Sequence, residues 1–304
     1  MTETGLPVLA GGVPPEVAYL RLPRAAALFG ARAARLRVLA EGHAAGEWLL
    51  AMAAVCDAQR QAVLEVGRLA PAIVDFSPMA PLSRVDWEKD DGWLPGLRTV
   101  IAGLGGAVLP PPARLAVGRL LGEPRERLGR FAAMLAGAEG KGHERPDPAS
   151  ALVLGAAMSV HLCAAAEHLP AERIARAERD CPVCAAPAAC GLVMGDDKVR
   201  YLHCALCGSA WHKVRVQCAT CGSAGGTSYY SIEGGPDAKG DGADRAVGAR
   251  AEACSDCHTY LKLFYQEERP ETEPLADDLA TLSLDLLVGE AGFARGGLNP
   301  YLAV

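Results

Sequence analysis

Four Cys-x-x-Cys pairs dominate the chemistry that this 304-residue chain can support, and they account for eight of its eleven cysteines. Two cysteines separated by two residues can wrap a tight turn whose backbone N–H groups point at the sulfurs, and two such turns complete a tetrahedral shell of four thiolates. The pairs are Cys181/Cys184, Cys204/Cys207, Cys218/Cys221 and Cys254/Cys257. The sequence therefore predicts two metal ions, each bound by four of these cysteines.

The spacing of the pairs indicates how the turns combine. Pairing in chain order gives Cys-x2-Cys-x19-Cys-x2-Cys and Cys-x2-Cys-x32-Cys-x2-Cys; the first is usual for zinc ribbons, and the glycine-rich residues 234–248 lengthen the second. We favour this sequential pairing over an interleaved one, which the spacing leaves open. Only ten residues separate Cys207 from Cys218, so the two sites are neighbours in either arrangement.

An ion with four thiolate ligands has no open position for a water nucleophile or a substrate. We therefore expect no metal catalysis and predict a protein that is not an enzyme. Each site can contribute on the order of 10 kcal/mol to folding a segment that has few apolar residues of its own. Both Fe and Zn accept this ligand set, so the residues leave the choice between the two metals open.

The remaining cysteines, and the histidines near the pairs, are expected to have structural roles. Cys56 and Cys163 lie in apolar segments, where a free cysteine behaves as a small buried hydrophobe, and Cys190 is predicted to lie in a turn. Eight thiolates already fill two sites, so we expect the flanking histidines to lie outside the metal shells. These histidines are His203, His212 and His258.

The elements that position the cysteine turns begin with helices. Alanine and leucine dominate the first 180 positions while aromatic residues make up 5% of the chain, a bias that favours close-packed helices. The most apolar run, residues 149–166, contains His161 and is predicted to be a buried core helix rather than a membrane span. The arginines of the first helix, Arg32, Arg35 and Arg37 among them, are predicted to form a solvated face.

The composition changes at Cys181, where glycine-rich turns and short β-branched or aromatic runs begin. We predict an α+β fold with a mostly α-helical N-terminal domain over residues 1–180, the last ten forming a solvated helix. Two small rubredoxin-like or zinc-ribbon-like modules follow at residues 181–217 and 218–272, each with four cysteine ligands. Residues 273–304 are predicted to form a C-terminal helix, running to 290, and a tail.

The charge distribution excludes some classes of partner. The formal charge is -6, and residues 181–260 carry seven basic against eight acidic side chains, so the modules have no basic stripe for nucleic acid. The first twelve residues, MTETGLPVLAGG, lack the basic and apolar regions of a secretory signal, which predicts a cytoplasmic protein without membrane insertion. Disulfides are disfavoured in that compartment.

Four segments of the chain resemble the FdhE-type formate dehydrogenase accessory proteins. They read RYLHCALCGSAWHKVRVQCATC (residues 200–221), AEACSDCHTYLK (251–262), DDLATLSLDLL (277–287) and NPYL (299–302). The resemblance is densest from Cys181 onward, with a looser echo in RAARLRVLAEGHAAGEWL (32–49). Ala185 departs from the family, which usually has glycine after the first pair, and this predicts a slightly different turn there.

The resemblance implies a cytoplasmic factor that binds the catalytic subunit of an exported formate dehydrogenase before twin-arginine transport and is needed for its maturation. It also implies iron in rubredoxin-like sites on the eight paired cysteines. Two alternatives remain, a rubredoxin-like electron carrier that reduces the client enzyme and a nucleic-acid-binding zinc ribbon, and a homodimer is open as well. The expected contact regions surround Trp211 and His212 and the acidic helix face with Asp278 and Asp285.

Overall fold

The computed structural model describes residues 17–66, 80–107, 109–137, 145–177, 179–195, 197–232 and 248–302. In these residues a layer of helices precedes most of a mixed β-sheet, and two short helices near the end of the chain pack against both. The predicted α+β class and the mostly helical N-terminal half are confirmed. The domain limits at 180, 217 and 272 stay predictions. The predicted glycine-rich excursion lies outside the described residues apart from Gly248.

Six α-helices form the N-terminal layer of the described chain. A proline stands in the first turn of three of them, where its missing N–H is not needed. Asp147 caps the sixth by accepting a hydrogen bond from the Ser150 N–H at 3.1 Å. The helices are α1 (Ala25–Ala40), α2 (Gly46–Val66), α3 (Leu94–Leu104), α4 (Pro111–Leu120), α5 (Arg125–Leu135) and α6 (Pro148–Ala166).

Helix α6 forms the centre of this layer. It is the one helix of the described residues that is long and apolar enough to cross a membrane, yet 89% of its apolar window is buried inside the protein. It packs against α2, α3, α4 and α5, so its apolar side chains find neighbours within the fold. The prediction of a buried core helix is confirmed.

Within the described residues the sheet has eight strands, in the order β1-β4-β3-β2-β7-β6-β5, with β8 paired to the start of β7. A parallel pairing of β2 with β7 joins its two halves, and Gly191 leaves the room that Leu263 needs there. The strands are β1 (Leu20–Arg21), β2 (Cys190–Met194), β3 (Val199–His203), β4 (Ala210–His212), β5 (Thr227–Tyr230), β6 (Ala249–Cys254), β7 (Thr259–Tyr265) and β8 (Ala294–Arg295).

The two halves of the sheet repeat one topology. Each half runs through a cysteine turn, two antiparallel strands, a second cysteine turn and a third strand. In the first half these strands are β2, β3 and β4, and in the second they are β5, β6 and β7. The parallel β2–β7 pair then joins one half to the other.

The predicted C-terminal helix over residues 273–290 is interrupted. The structure has α7 (Pro274–Leu279) and α8 (Leu282–Glu290) instead. The buried Lys262 ammonium binds the carbonyl oxygens of Asp278 at 2.7 Å and of Thr281 at 3.3 Å, and so takes acceptors that a continuous helix would use itself.

The predicted solvated helix over residues 171–180 is wrong. Of its described residues, Ala171–Arg173 alone form helix, as a short 3₁₀ turn. Beyond it the Ala177 N–H donates to the Tyr19 hydroxyl at 2.7 Å, and Arg176 lies over the ring of Tyr19. These contacts hold the segment against the chain that leads into β1, in place of helical hydrogen bonds.

Two buried ion pairs join helix α1 to helix α7. Arg32 donates to both oxygens of Glu273, at 2.9 and 3.1 Å, and Arg35 binds Asp277 at 2.7 Å. Arg32 is 1% exposed, so the prediction of a solvated arginine face is wrong for both residues. It holds for Arg37, whose side chain is half exposed beside Asp57. The ion pairs therefore anchor the C-terminal segment on the helical layer.

Replacing Arg32 with methionine is expected to lower the free energy of unfolding by about 3–5 kcal/mol, because the Glu273 carboxylate would stay buried without its partner. The matched substitution Arg37→Met on the same helix should change it by less than about 1 kcal/mol, since its ion pair is solvated. Urea denaturation of the metal-loaded proteins measures both. Equal changes in the free energy of unfolding for the two variants would contradict the burial of the ion pair between Arg32 and Glu273.

Candidate metal centre

All four Cys-x-x-Cys pairs fold into the same turn. In each, the N–H of the residue after the second cysteine donates to the carbonyl oxygen of the first cysteine, at 2.9 to 3.1 Å. Backbone N–H groups also approach the sulfurs: that of Val183 lies 3.4 Å from Cys181 Sγ, and that of Thr220 lies 3.4 Å from Cys218 Sγ. The turns therefore offer hydrogen bonds to thiolates, as metal-binding turns do.

The residue that follows each pair has a positive φ. The values are 71° for Gly208 and 80° for Gly222, as the glycines predict, and 61° for Ala185 and 53° for His258. The expectation of a different turn at Ala185 is therefore wrong: alanine adopts the left-handed conformation that glycine takes elsewhere. For a residue with a Cβ that conformation costs about 1–2 kcal/mol.

The structure brings the eight predicted cysteines together as two groups of four. The first is Cys181, Cys184, Cys204 and Cys207, and the second is Cys218, Cys221, Cys254 and Cys257. Within each group all four sulfurs lie within 4.8 Å of one another. The sequential pairing is confirmed, and the zinc-ribbon-like character of both modules with it.

The sulfur positions fit a tetrahedral metal ion. In the first group the Sγ atoms of Cys181 and Cys207 are 3.5 Å apart, and those of Cys184 and Cys204 are 3.4 Å apart. In the second group the two corresponding distances are both 3.8 Å. A tetrahedron with metal–sulfur bonds of about 2.3 Å has edges of about 3.8 Å. All eight cysteines are free of disulfide bonds.

The first group lies inside the protein, at the junction of the helical layer and the sheet. Helix α6 contacts its second turn, because the Ser159 hydroxyl donates to the Ala205 carbonyl at 3.3 Å and the Cys163 thiol to the Leu206 carbonyl at 3.4 Å. Its first turn accepts the Leu82 N–H at the Val183 carbonyl, at 2.8 Å. A metal ion there would therefore be enclosed by protein on several sides.

The second group lies near the surface. Cys221 and Cys257 are partly exposed, and the residues after Cys221 are partly or fully exposed as well. Its neighbours are polar: the Thr259 hydroxyl lies 3.0 Å from Cys257 Sγ, and the Ser223 hydroxyl donates to Asp256. In the first group Cys184 alone is partly exposed. The two groups thus share one kind of ligand set and one turn but differ in solvent access.

Burial and mutual hydrogen bonds act on the pKa values of the thiols in the first group: hydrogen bonds with Cys181, Cys184 and Cys207 lower the pKa of Cys204 well below its ordinary value. Removal from water raises the pKa of Cys181 well above its ordinary value. At Cys257 burial also acts upward, but hydrogen bonds with the hydroxyl and N–H of Thr259 and with Cys221 and Cys254 together lower the pKa to about 7. A bound cation supplies the positive charge that stabilises four neighbouring thiolates.

The other predicted residues fall outside the two groups. Cys56 and Cys163 are fully buried, as expected, whereas Cys190 lies in strand β2 rather than in a turn. His203 is enclosed next to Cys204, and burial lowers its pKa to about 4. His258 is exposed beside the second group, where its ring contacts Phe293. Each histidine thus lies outside the sulfur groups.

A buried arginine that the sequence reasoning missed holds the link between the two modules. Arg200 of β3 binds both oxygens of Glu252 in β6, at 2.7 and 2.8 Å. The same guanidinium donates to the carbonyl oxygens of residues 213, 214 and 217, which lie just before the second module. One feature of the sequence could have indicated such a buried basic residue. It is a single charged residue within a largely apolar strand, as at Arg200 in β3 and Lys262 in β7.

Two residues of the expected contact regions, Trp211 and Asp278, are fully buried. His212 and Asp285 of the same regions are partly exposed, so the regions themselves stay predictions. Trp211 packs in the core, and Asp278 binds Lys262, Arg295 and Asn299. Neither residue can meet a partner directly.

Ala185→Gly is expected to stabilise the metal-loaded protein by about 0.5–1 kcal/mol, because glycine adopts a positive φ without the Cβ penalty. The neighbouring Ala186→Gly, at a position with ordinary φ, should destabilise it by about 0.5–1 kcal/mol. Urea denaturation distinguishes the two. Loss of stability in both variants would show that the turn at Ala185 is unstrained.

The second group is expected to lose its metal first. In the presence of a chelator, the ion of the second group should dissociate at least about tenfold faster than the ion of the first group. The reason is that an exposed site opens at lower free energy than a buried one. Alkylation followed by mass spectrometry should then modify Cys221 and Cys257 before Cys181 and Cys207, with buried Cys56 as an unmodified control. Simultaneous modification of both groups would contradict this expectation.

Comparison with known proteins places the whole described chain in one family. Three family models match it in order: FdhE, N-terminal, over residues 17–179; FdhE, central domain, over 180–215; and FdhE, C-terminal domain, over 216–302. The resemblance inferred from the cysteine-rich segments is therefore confirmed, and it extends over the helical half.

Individual relatives agree with these models. The Protein FdhE homolog of Edwardsiella ictaluri is 36% identical, with 94% of this chain and 92% of that protein covered. Protein FdhE of Escherichia coli is 32% identical, with 93% and 90% covered. The crystal structure of the FdhE protein from Pseudomonas aeruginosa matches with a TM-score of 0.79 and 31% identity, over 94% of this chain and 99% of that one. The chain belongs to the FdhE family.

Proposed function

We propose that the protein is a cytoplasmic accessory factor that binds the catalytic subunit of a respiratory formate dehydrogenase and is needed for its maturation before export. Membership of the FdhE family supports an accessory role in formate dehydrogenase maturation. The observation that carries the proposal is the ordered match of all three family models, which leaves no additional domain within residues 17–302.

The geometry of the sulfur groups supports a binding role rather than catalysis. Four sulfurs around each ion close its coordination shell, so a bound substrate would have no position on the metal. We propose that the eight paired cysteines are the ligands of two ions, Fe or Zn. A bound metal would supply folding free energy. Helix α6 binds the second turn of the first group, and Arg200 binds the residues just before the second module.

An electron carrier is the second candidate, and the exposure of Cys221 and Cys257 favours it. A tetrathiolate iron site near the surface can exchange one electron with a docked protein. Replacement of iron by zinc separates the two proposals, because zinc keeps the fold and removes the redox chemistry. Equal activation of the client by the zinc form would exclude electron transfer and leave the binding role standing.

The intact metal-loaded protein is expected to capture the formate dehydrogenase catalytic subunit under anaerobic conditions. The double variant Cys218→Ala/Cys221→Ala should lose at least about tenfold in capture, because the second module cannot fold around a metal without half of its ligands. Cys190→Ala is the control, since it removes a buried thiol that belongs to neither group. Co-purification measures capture, and metal analysis of each variant accompanies it.

Failure of the intact protein to capture the subunit would refute the proposed partner. Equal loss of capture in Cys190→Ala would indicate general misfolding and would remove the link to the metal site.

A further inference from the structure

A pocket outside the metal centre opens between the helical layer and the C-terminal segment. Its volume is about 720 Å³, and its walls come from α5, α6, α8 and the residues after β8. Apolar side chains dominate the lining, among them Met134, Met158, Leu282, Leu286 and Leu298. Specific ligand pockets typically have volumes of about 300–1,000 Å³ with mostly apolar walls and a few placed polar groups.

The pocket shares a wall with the first metal group. Leu206, which lies between Cys204 and Cys207, is part of the lining. The carbonyl oxygen of Leu206 accepts a hydrogen bond from the Cys163 thiol, and this contact holds the turn against α6. A metal ion that fixes this turn therefore also fixes one side of the pocket.

Most polar groups of the pocket are paired with one another, and Arg295 Nε is a buried donor without a hydrogen-bond partner. Asp285 accepts hydrogen bonds from Tyr260 at 2.6 Å, from Lys262 at 2.5 Å and from Arg295 at 2.8 Å. Arg295 also binds Asp278 at 2.5 Å. The two basic and two acidic side chains of this cluster neutralise each other, so a charge inserted beside them would find no free counter-charge within the cluster and would lose its hydration.

The apolar surface continues from the pocket to the outside. Leu286 lines the pocket and is 71% exposed, so the apolar lining reaches the surface of the protein. Arg145, the remaining charged residue of the lining, is exposed to solvent and needs no buried partner. An occupant that covered both the pocket and Leu286 would extend beyond a small molecule, as a polypeptide segment does.

We propose that this pocket is the docking site for an uncharged, apolar segment of the catalytic subunit that the protein accompanies. The inference rests on the proposed function and adds to it the place of contact and the chemistry of the segment. The neutral polar cluster selects against charged residues, the apolar walls bind aliphatic or aromatic side chains, and the first metal turn keeps the pocket open.

Two substitutions test the pocket in the metal-loaded full chain, with the catalytic subunit as the probe. Leu286→Arg places a charge at the exposed rim, and Ala151→Phe fills space within the lining. Each is expected to weaken capture at least about tenfold, as the loss of an apolar anchor does. The matched control is Leu287→Arg, because Leu287 is 50% exposed on the same helix but does not line the pocket; its capture should stay within about twofold.

The outcomes separate this inference from the proposed function. Capture by the intact protein together with undiminished capture by Leu286→Arg would overturn the pocket assignment and leave the accessory role standing. Absence of capture by the intact protein would overturn both. Sedimentation velocity tests a second copy as the occupant: dissociation of a dimer by Leu286→Arg, with capture unchanged, would assign the pocket to self-association and overturn the proposal. Unaltered thermal unfolding of Leu286→Arg ensures that its fold is intact.

Discussion

The convergence of four thiols at distances of 3.4 to 3.8 Å is the constraint on which the cysteine-rich half of the chain depends. Four thiolates at that spacing repel one another, and four thiols hydrogen-bond too weakly to hold two turns together. A bound cation attracts all four thiolates, so metal ligation outweighs their mutual repulsion. A bound ion would therefore add folding free energy to modules whose strands are three to seven residues long.

Buried charge then connects the modules to the rest of the molecule. Arg32 and Arg35 reach from the first helix to α7, Arg200 joins the two halves of the sheet, and Lys262 interrupts the C-terminal helix. Each of these ion pairs joins separate elements, and each contributes orientation more than net stability. The C-terminal segment is thereby held against both layers, where it forms one wall of the pocket.

The ligand turns were predictable because their determinants are local. A Cys-x-x-Cys pair specifies its own turn, and the spacing of the pairs favoured the sequential arrangement that the structure has. The apolar run of α6 likewise predicted its own burial. The interrupted helix at Ala280, the burial of Arg32 and the strand position of Cys190 depend on partners in other elements, which residue periodicity cannot reveal. The pocket is of the same kind, since its walls come from separate segments of the chain.

The two modules repeat one topology, but their metal sites lie in different environments. The first turn of each module precedes a strand and the second lies between two strands, so the ligand geometry is the same. Within the described residues, only the first module is covered by α6 and contributes Leu206 to the pocket. The proposed contact with an apolar segment of a partner would therefore involve the buried site, whereas an exchange of electrons or metal would involve the exposed one. The same cysteine turn can thus hold the proposed docking surface in place in the first module. In the second module it leaves the metal site open to solvent.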